Sequence, residues 1–237
     1  MSTAVGPAPP LGVVIPCRNE ARHLPALLAQ LHSAPQLVAA VVVVDGGSQD
    51  GSGTLAALAG ARVLHSDANR GLQLACGVAQ LEQPWLLLLH GDAHLPAGWG
   101  AALASAIARS DPQAGPAWCF ELAIAGRDPA LRLVEAGVRL RSQWRQLPYG
   151  DQGLLLGRRL LEGSGGIRPL PLMEDLELLL RLRRHSRVRS LGLPLGVSDR
   201  RWRRHGVWQT TLANMGLRRA WRQGADPALL ADRYRRS

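Results

Sequence analysis

The stretch that most constrains the fold runs from Pro84 to Pro96, where an apolar run turns abruptly polar. Its apolar part is short enough for a strand and too short for a typical helix, as in a strand buried on both faces of a parallel sheet. His90, Asp92 and His94 then follow. Because ligands of open α/β sheets bind just beyond the carboxyl ends of strands, the stretch predicts metal or phosphate binding at Asp92. The alternative is that Asp92 only caps the following turn.

The same change from apolar to polar residues occurs twice earlier in the chain. A predicted first strand, Leu11–Ile15, ends at Pro16, and a valine-rich second strand, Leu37–Val44, runs directly into Asp45. Amphipathic helices and a short third strand at Arg62–His65 lie between these segments. This alternation predicts right-handed crossovers and a mainly parallel sheet, so that Pro16, Asp45 and His90 should lie along one edge.

The second half of the chain is less regular, and its pattern predicts shorter strands separated by polar turns. The predicted elements are the strands 118–124, 154–156 and 188–191 and the helices 129–146, 174–185 and 207–222. The sequence therefore predicts a single α/β domain at residues 11–225, after a loose leader at residues 1–10 and before a basic tail at residues 226–237. Within it we expect a nucleotide-binding half, 11–110, and an acceptor half, 111–225, with a basic helical C-terminal part.

Charge and composition limit the partners of this chain. The net charge is +10, and residues 151–237 carry 18 arginines against 8 acidic residues. Such a basic third could attract a phosphorylated substrate, an anionic lipid or nucleic acid. Aromatic residues, at 4%, are too few for a platform that stacks bases, so no nucleic-acid partner is predicted. The basic helix at 129–146 leaves peripheral membrane contact open.

The location is predicted from apolar run length and cysteine usage. The longest uninterrupted apolar run is Leu37–Val44, far short of the ~20 residues that span a bilayer, and residues 1–10 lack the pattern of a secretory signal. Cys17, Cys76 and Cys119 lie far apart, which favours a reducing compartment over a disulfide framework or a zinc site. We therefore expect a cytoplasmic protein, with peripheral contact at the inner membrane face left open.

Five motifs in a fixed order identify a family resemblance that extends over about residues 11–225. They are Val13-Val14-Ile15-Pro16-Cys17-Arg18-Asn19-Glu20, Val43-Val44-Asp45-Gly46-Gly47-Ser48-Gln49-Asp50-Gly51, His90-Gly91-Asp92, Glu174-Asp175 and Arg200-Arg201-Trp202. The chain resembles family 2 glycosyltransferases of the GT-A fold. With Leu147-Pro148-Tyr149-Gly150-Asp151-Gln152-Gly153 added, it is similar to a bacterial subgroup associated with arsenosugar biosynthesis.

The resemblance implies a donor site formed by the first half of the chain. It places a nucleotide-diphosphate sugar against six residues: Pro16, Asn19, Glu20, Asp45, Arg70 and His90. Asp45 would accept the N–H of a pyrimidine base, although Asp45 and Asp50 are also suited to capping the glycine turn and the helix after it. Arg70 would bind phosphate, or it is a surface arginine beside Asp67.

The resemblance also implies a divalent metal, Mg²⁺ or Mn²⁺, which hard oxygen ligands would hold. His90 stands where the family usually has the first Asp of its Asp-X-Asp motif. This departure leaves Asp92 as the acidic ligand, with His90 and His94 either completing the site or bonding to ribose or backbone. His205 is a more distant candidate ligand, for which a solvated position is the simpler interpretation.

Catalysis and acceptor binding are assigned to the second half. Asp175 is the predicted general base and Glu174 its competitor, although acidic residues in a first helical turn also occur for electrostatic reasons alone. Asp151, Gln152, Arg200, Arg201 and Trp202 are the predicted contacts to the donor sugar or the acceptor. For Trp202 the alternative is a core position, with the two arginines solvated.

These assignments predict an inverting, metal-assisted transfer of a sugar from a nucleotide-diphosphate sugar to a hydroxyl acceptor. A sugar-phosphate nucleotidyltransferase would need a glycine-rich basic loop after the first strand, where this chain has Pro16-Cys17-Arg18-Asn19-Glu20. A non-catalytic protein that binds nucleotide sugars or a membrane surface is the alternative from another class. Such a protein would bind the donor and release no nucleoside diphosphate.

Overall fold

The computed structural model describes residues 10–236, and the predicted leader falls outside them except for Pro10. The first half alternates strands and helices as predicted. Its elements are β1 Leu11–Cys17, α1 Leu24–His32, β2 Val38–Asp45, α2 Ser52–Leu58, β3 Arg62–His65, α3 Arg70–Ala79, β4 Trp85–Leu88 and α4 Trp99–Ala108. Asn69 caps α3, its side chain accepting a hydrogen bond from the Leu72 N–H at 3.1 Å.

The second half contains three further strands and six further helices among the described residues. They are β5 Ala117–Ala125, α5 Pro129–Arg145, β6 Leu154–Gly157, α6 Arg158–Gly163, α7 Glu174–His185, β7 Val188–Ser198, α8 Arg200–His205, α9 Val207–Arg222 and α10 Pro227–Arg236. A 3-10 turn, Gly150–Gln152, precedes β6.

A single seven-stranded sheet forms the centre of the molecule, in the order β3-β2-β1-β4-β6-β5-β7. Neighbouring strands pair in parallel except where β6 pairs, because β6 runs antiparallel to both β4 and β5. The sheet is therefore mainly parallel, and the predicted three-layer α/β fold is confirmed.

Helices cover both faces of this sheet because successive residues of a strand point to opposite sides. On one face Val13 and Ile15 of β1 pack in a core with α1 and α4. On the other face Val14 packs in a second core with α3, α6 and α7. A smaller third cluster, which includes Leu131 and Val207, joins α5 and α9 to β5 and β7.

The ends of β1, β2 and β4, where the sequence changes from apolar to polar, lie at one edge of the sheet. In the parallel pair of β1 and β2, Pro16 lies beside Val44 and Cys17 beside Asp45. On the other side of β1, Val14 lies beside Leu88 of β4, so His90 follows at the same edge. This part of the prediction is confirmed.

Four elements of the second half differ from the sequence prediction. Strand β7 continues to Ser198, seven residues past the predicted end at Leu191. As the last strand of the sheet, β7 tolerates Pro194, and its register to β5 shifts between Cys119 and Glu121. Helices α6 and α8 were not predicted, and α10 forms in the segment predicted only as a basic tail.

Within residues 10–236, no helix combines the length and the apolar character needed to cross a bilayer.

Candidate active site

A cavity of about 400 Å³ opens at the carboxyl edge of the sheet. Residues from both halves of the chain line it, and ten of them were predicted as site residues from the sequence. These ten are Pro16, Glu20, Arg70, His90, Asp92, Asp151, Glu174, Arg200, Arg201 and Trp202. Two residues of α10, Ala231 and Tyr234, line it as well. The cavity thus collects donor-side, metal and acceptor-side candidates in one place.

The turns after β1 and β2 are joined to each other by hydrogen bonds. Asn19 has a left-handed backbone, with φ of 56°, and its Oδ1 accepts from the Gln49 N–H at 2.9 Å. The Asn19 N–H in turn donates to Ser48 Oγ at 2.9 Å, and the Glu20 N–H donates to Ser52 Oγ at 2.8 Å. Asn19 does not line the 400 Å³ cavity, so its contacts position Glu20, which does.

Asp45 is buried at the end of β2, with 4% of its surface exposed. Its Oδ1 accepts from the Ser48 N–H at 2.9 Å and from Ser48 Oγ at 2.6 Å. These bonds stabilise the glycine turn, as expected if Asp45 acts as a capping residue. Asp50 bonds in a similar way to Ser52 Oγ, at 2.5 Å, and to the Ala21 N–H, at 3.0 Å. The role of Asp45 toward a nucleotide stays a prediction.

Arg70 is paired with both carboxylates at the start of α7. Its Nε donates to Glu174 Oε1, and its Nη2 lies 3.3 Å from Asp175 Oδ2. Glu174 is almost fully buried, and burial raises its pKa against the opposing charge of Arg70. The surface alternative for Arg70 beside Asp67 is therefore not what the structure shows.

Asp175 lies at a small neighbouring cavity of about 40 Å³, which Arg70, His90 and Glu174 also line. Its Oδ2 accepts from the Gly150 N–H at 2.7 Å and its Oδ1 from the Leu176 N–H at 2.7 Å. These two bonds hold the carboxylate of Asp175 in place beside His90.

His90 is surrounded by protein and by two cations. Burial lowers the pKa of His90 well below its usual value, and the charges of Arg70 and Arg200 lower it further. The imidazole is therefore neutral at pH 7. A neutral ring offers one N–H donor and one acceptor nitrogen to a hydroxyl group.

Glu20 and Arg200 form an ion pair between β1 and α8. Arg200 Nη1 lies 3.0 Å from Glu20 Oε2, and Nη2 donates to Oε1. Burial raises the pKa of Glu20, against the lowering effect of Arg200. A residue predicted for the donor and one predicted for the acceptor thus contact each other directly.

Asp92 differs from its neighbours because its carboxylate makes no hydrogen bond or salt bridge within residues 10–236, whereas Arg200 pairs with Glu20 and Arg70 with Glu174. The charge of Arg200 interacts with Asp92 only at longer range. The described residues contain no group of three His, Cys, Asp or Glu side chains that could hold a metal alone. His94 is exposed and outside the cavity, and its backbone bridges Gly196 at 2.8 Å. An ion at Asp92 would therefore need oxygen ligands from a bound diphosphate or from water.

Asp151 and Trp202 carry the two buried side-chain atoms that lack a hydrogen-bond partner in the described part of the chain. These atoms are Asp151 Oδ1 and Trp202 Nε1. Burial raises the pKa of Asp151, the charge of Arg141 lowers it and that of Asp175 raises it. A buried unpaired polar atom costs about 1–3 kcal/mol, so both atoms are suited to bonding with a ligand.

Gln152 contacts protein rather than the cavity. It is 1% exposed, its Oε1 accepts from Ser142 Oγ at 3.0 Å, and its Nε2 donates to the Phe120 carbonyl at 2.9 Å. These bonds fix the 3-10 turn that carries Asp151. Gln152 therefore positions Asp151 and does not line the cavity itself.

The sequence prediction missed Tyr234 and Ala231 because it assigned no structure beyond residue 225. Arg201 packs over the Tyr234 ring, 3.6 Å from its centroid. The signal for α10 was present in the sequence, because Asp226 followed by Pro227 is a typical helix start. Asp226 Oδ1 indeed accepts from the Ala228 N–H at 2.8 Å.

Comparison with known proteins shows what one part of the chain resembles. Residues 12–117 match the model of glycosyl transferase family 2. This segment is therefore similar to that family. This family 2 segment contains β1 to β4 and therefore Pro16, Glu20, Arg70, His90 and Asp92 of the cavity.

One curated relative of this chain is the succinoglycan biosynthesis protein ExoA of Rhizobium meliloti (strain 1021). The two are 42% identical over 89 residues, which is 35% of this chain and 27% of ExoA. The chain thus spans about a quarter of the length of the curated relative that it matches.

Solved structures extend the similarity of the fold over most of the chain. Glucosyl-3-phosphoglycerate synthase from Mycobacterium tuberculosis, in complex with Mn²⁺, UDP and glucosyl-3-phosphoglycerate, superposes with a TM-score of 0.54 at 18% identity. The similarity covers 77% of this chain and 70% of that one. TarS residues 1–349 of S. aureus superpose with a TM-score of 0.61 at 13% identity, covering 80% and 60%. The fold is GT-A.

Proposed function

We propose that this protein is an inverting glycosyltransferase that moves a sugar from a nucleotide-diphosphate sugar to a hydroxyl acceptor, with a divalent metal and an aspartate base. The observation that carries the proposal is the position of Asp92. It supplies a carboxylate without a hydrogen bond or salt bridge to the described residues, beyond the carboxyl end of β4 and inside the cavity that Arg70 and Arg200 also line. The family 2 match covers this part of the site.

The metal would be Mg²⁺ or Mn²⁺. Asp92 offers an oxygen ligand, and the glucosyl-3-phosphoglycerate synthase of similar fold holds Mn²⁺ or Mg²⁺ together with UDP. When bound, such an ion neutralises charge on the departing diphosphate. His90 would act through ribose or sugar hydroxyls, because a hard cation prefers oxygen and the imidazole lies among protein atoms.

Arg70 and Arg200 supply the remaining positive charge at the diphosphate. Each guanidinium has five N–H donors, and the contacts to Glu174, Asp175 and Glu20 use only part of them. The carboxylates hold both side chains at the cavity wall, so that phosphate oxygens meet donors that are already oriented. Preorganised donors of this kind stabilise charge that develops in the transition state.

Asp175 is the proposed base that takes the proton of the acceptor hydroxyl. Its two carboxylate oxygens accept from the Gly150 and Leu176 N–H groups, which fixes the side chain beside Arg70 and His90. Asp151 and Trp202 would hold the acceptor, since each has one buried atom without a partner. Because Asp151 is also a carboxylate, it is the competing base.

Release of a nucleoside diphosphate tests the proposal. The full chain would be incubated with a panel of nucleotide-diphosphate sugars, with and without Mn²⁺, and with a panel of hydroxyl acceptors as well as water to receive the sugar. The released diphosphate would be measured. We expect release from one donor class that requires the metal and is lost in the Asp92→Asn variant. Donor binding without any release would instead support the non-catalytic binder.

A further inference from the structure

Helix α5 presents an apolar stripe to solvent. Leu133, Leu140 and Trp144 are 63%, 49% and 80% exposed, although each is a large apolar side chain. Their spacing of seven and four residues places them on one face of the helix. The opposite face of α5 is already used, because Leu131 packs in the third core cluster. The stripe therefore contributes nothing to the core.

Helix α9 presents a second stripe of the same kind. Trp208, Leu212 and Met215 are 57%, 64% and 54% exposed and lie at spacings of four and three residues. A groove of about 1060 Å³ runs between α5 and α9, and residues of both stripes line it. The two stripes therefore form one continuous apolar surface, which we call the α5–α9 surface.

Arginines collect at one end of this surface. The guanidinium groups of Arg141 in α5 and Arg218 in α9 lie over the ring of Tyr149, 3.7 Å and 4.9 Å from its centroid. The carboxyl-terminal parts of the two helices therefore meet at Tyr149. Exposed arginines from these same ends, Arg145, Arg219 and Arg222, also line the groove.

Acidic residues do not balance these arginines within the two helices. Residues 207–222 contain no Asp or Glu, and residues 129–145 contain only Glu135, which pairs with Arg132 at 3.0 Å. The α5–α9 surface thus combines exposed Trp, Leu and Met side chains with a cluster of positive charge. A complementary partner must be both apolar and anionic.

We propose that the α5–α9 surface docks this protein onto an anionic phospholipid bilayer. Tryptophan and leucine side chains enter the boundary between headgroups and acyl chains, while arginines bind the phosphates of the headgroups. A second copy of the chain fits less well, because a symmetric contact would bring the arginine clusters of both copies together. The bilayer is the occupant that satisfies both the apolar stripes and the charge.

The groove adjoins the candidate active site. Asp151 and Trp202 line both the groove and the 400 Å³ cavity. Docking would therefore place Asp151 and Trp202 close to the membrane surface. If the proposed glycosyl transfer holds, an acceptor could reach Asp151 from the bilayer.

Vesicle sedimentation with the full chain tests the docking without reference to transfer. We expect binding to vesicles of phosphatidylcholine with phosphatidylglycerol and much weaker binding to phosphatidylcholine alone. The double variant Trp144→Ser, Trp208→Ser should bind vesicles about tenfold or more weakly, because two large apolar side chains are no longer transferred from water into the bilayer. Leu58→Ser, at an 80% exposed apolar position on α2, is the matched control and should bind normally.

A second pair of variants tests the charge. Arg219→Gln with Arg222→Gln should weaken binding to the anionic vesicles and reduce its salt dependence. Arg183→Gln with Arg184→Gln removes the same charge from exposed positions at the end of α7, outside the groove, and should have little effect. UDP affinity and the melting temperature show whether each variant is folded.

The docking proposal is wrong if the wild-type protein does not bind anionic vesicles. It is also wrong if the groove variants bind these vesicles as tightly as their control variants do. The surface would instead be a dimer interface if the wild type binds no vesicles and forms a dimer in analytical ultracentrifugation, and if the double tryptophan variant is a monomer. Normal vesicle binding by a protein that releases no nucleoside diphosphate would leave the docking intact and reject only the transferase proposal.

Discussion

The backbone N–H of Gly150 donates to Asp175 Oδ2 at 2.7 Å, joining the turn before β6 to the first turn of α7. A side chain at Gly150 has no room. A Cβ there would lie 2.7 Å from Arg70 Nη2 and 2.8 Å from His90 Nε2. The turn therefore holds the proposed base close to the arginine and the histidine only because residue 150 is a glycine.

Gly150→Ala should displace Arg70, His90 or Asp175 while leaving the two cores intact. A misplacement of about 1 Å can lower turnover by roughly 10²-fold. We expect such a fall in nucleoside diphosphate release, with a small change in melting temperature. Gly163→Ala is the control, because a Cβ at Gly163 meets nothing within 4 Å. Equal turnover in the two variants would show that the geometry around Gly150 is not critical.

Asp175→Asn should lower turnover by roughly 10²–10⁴-fold, the usual effect of removing a positioned base. The asparagine oxygen can still accept from the Gly150 N–H, so the turn should keep its structure. UDP affinity, measured by calorimetry, should change little because the base contacts the acceptor. If Asp151→Asn abolishes release while Asp175→Asn does not, the base is Asp151; the same result with Glu174→Gln would assign it to Glu174.

His90 should make folding stability depend on pH. Its pKa in the folded protein lies well below the usual 6.5, so below pH 6.5 the unfolded chain binds a proton that the folded protein does not. The stabilisation is therefore complete above that pH and is lost as the pH falls. Below pH 6.5, the free energy of unfolding measured with urea should fall more steeply for the wild type than for His90→Gln. The difference between the two slopes should be up to about 1.4 kcal/mol per pH unit. Equal slopes would mean that His90 charges freely in the folded state.

The sequence predicted the first half of the fold accurately because its periodicity is local. The strand Arg62–His65 has the predicted bounds, and β1 and β2 differ from prediction by one or two residues at their ends. Pro16, Asp45 and His90 could be placed at one edge because parallel strands with right-handed crossovers leave few arrangements. Strand β7 was underestimated because the edge position that tolerates Pro194 is a property of the whole sheet.

The partners of the site residues could not be predicted. Glu20 and Arg200 are 180 positions apart, and Arg70 and Glu174 are 104 apart, so only the folded chain shows that they pair. Local patterns also could not show that Gln152 faces the protein while Asp151 beside it retains an unpaired oxygen. Both follow from how the turn packs on β5 and α5.

The most direct test of the proposed metal-assisted donor site is the titration of UDP into the full chain by calorimetry, with and without Mn²⁺. We predict that Mn²⁺ strengthens UDP binding to the wild type and that Asp92→Asn removes this effect without changing the melting temperature. Glu82→Gln, which removes an exposed charge just before β4, should behave like the wild type. If Mn²⁺ raises the UDP affinity of Asp92→Asn and of the wild type equally, Asp92 does not hold the metal.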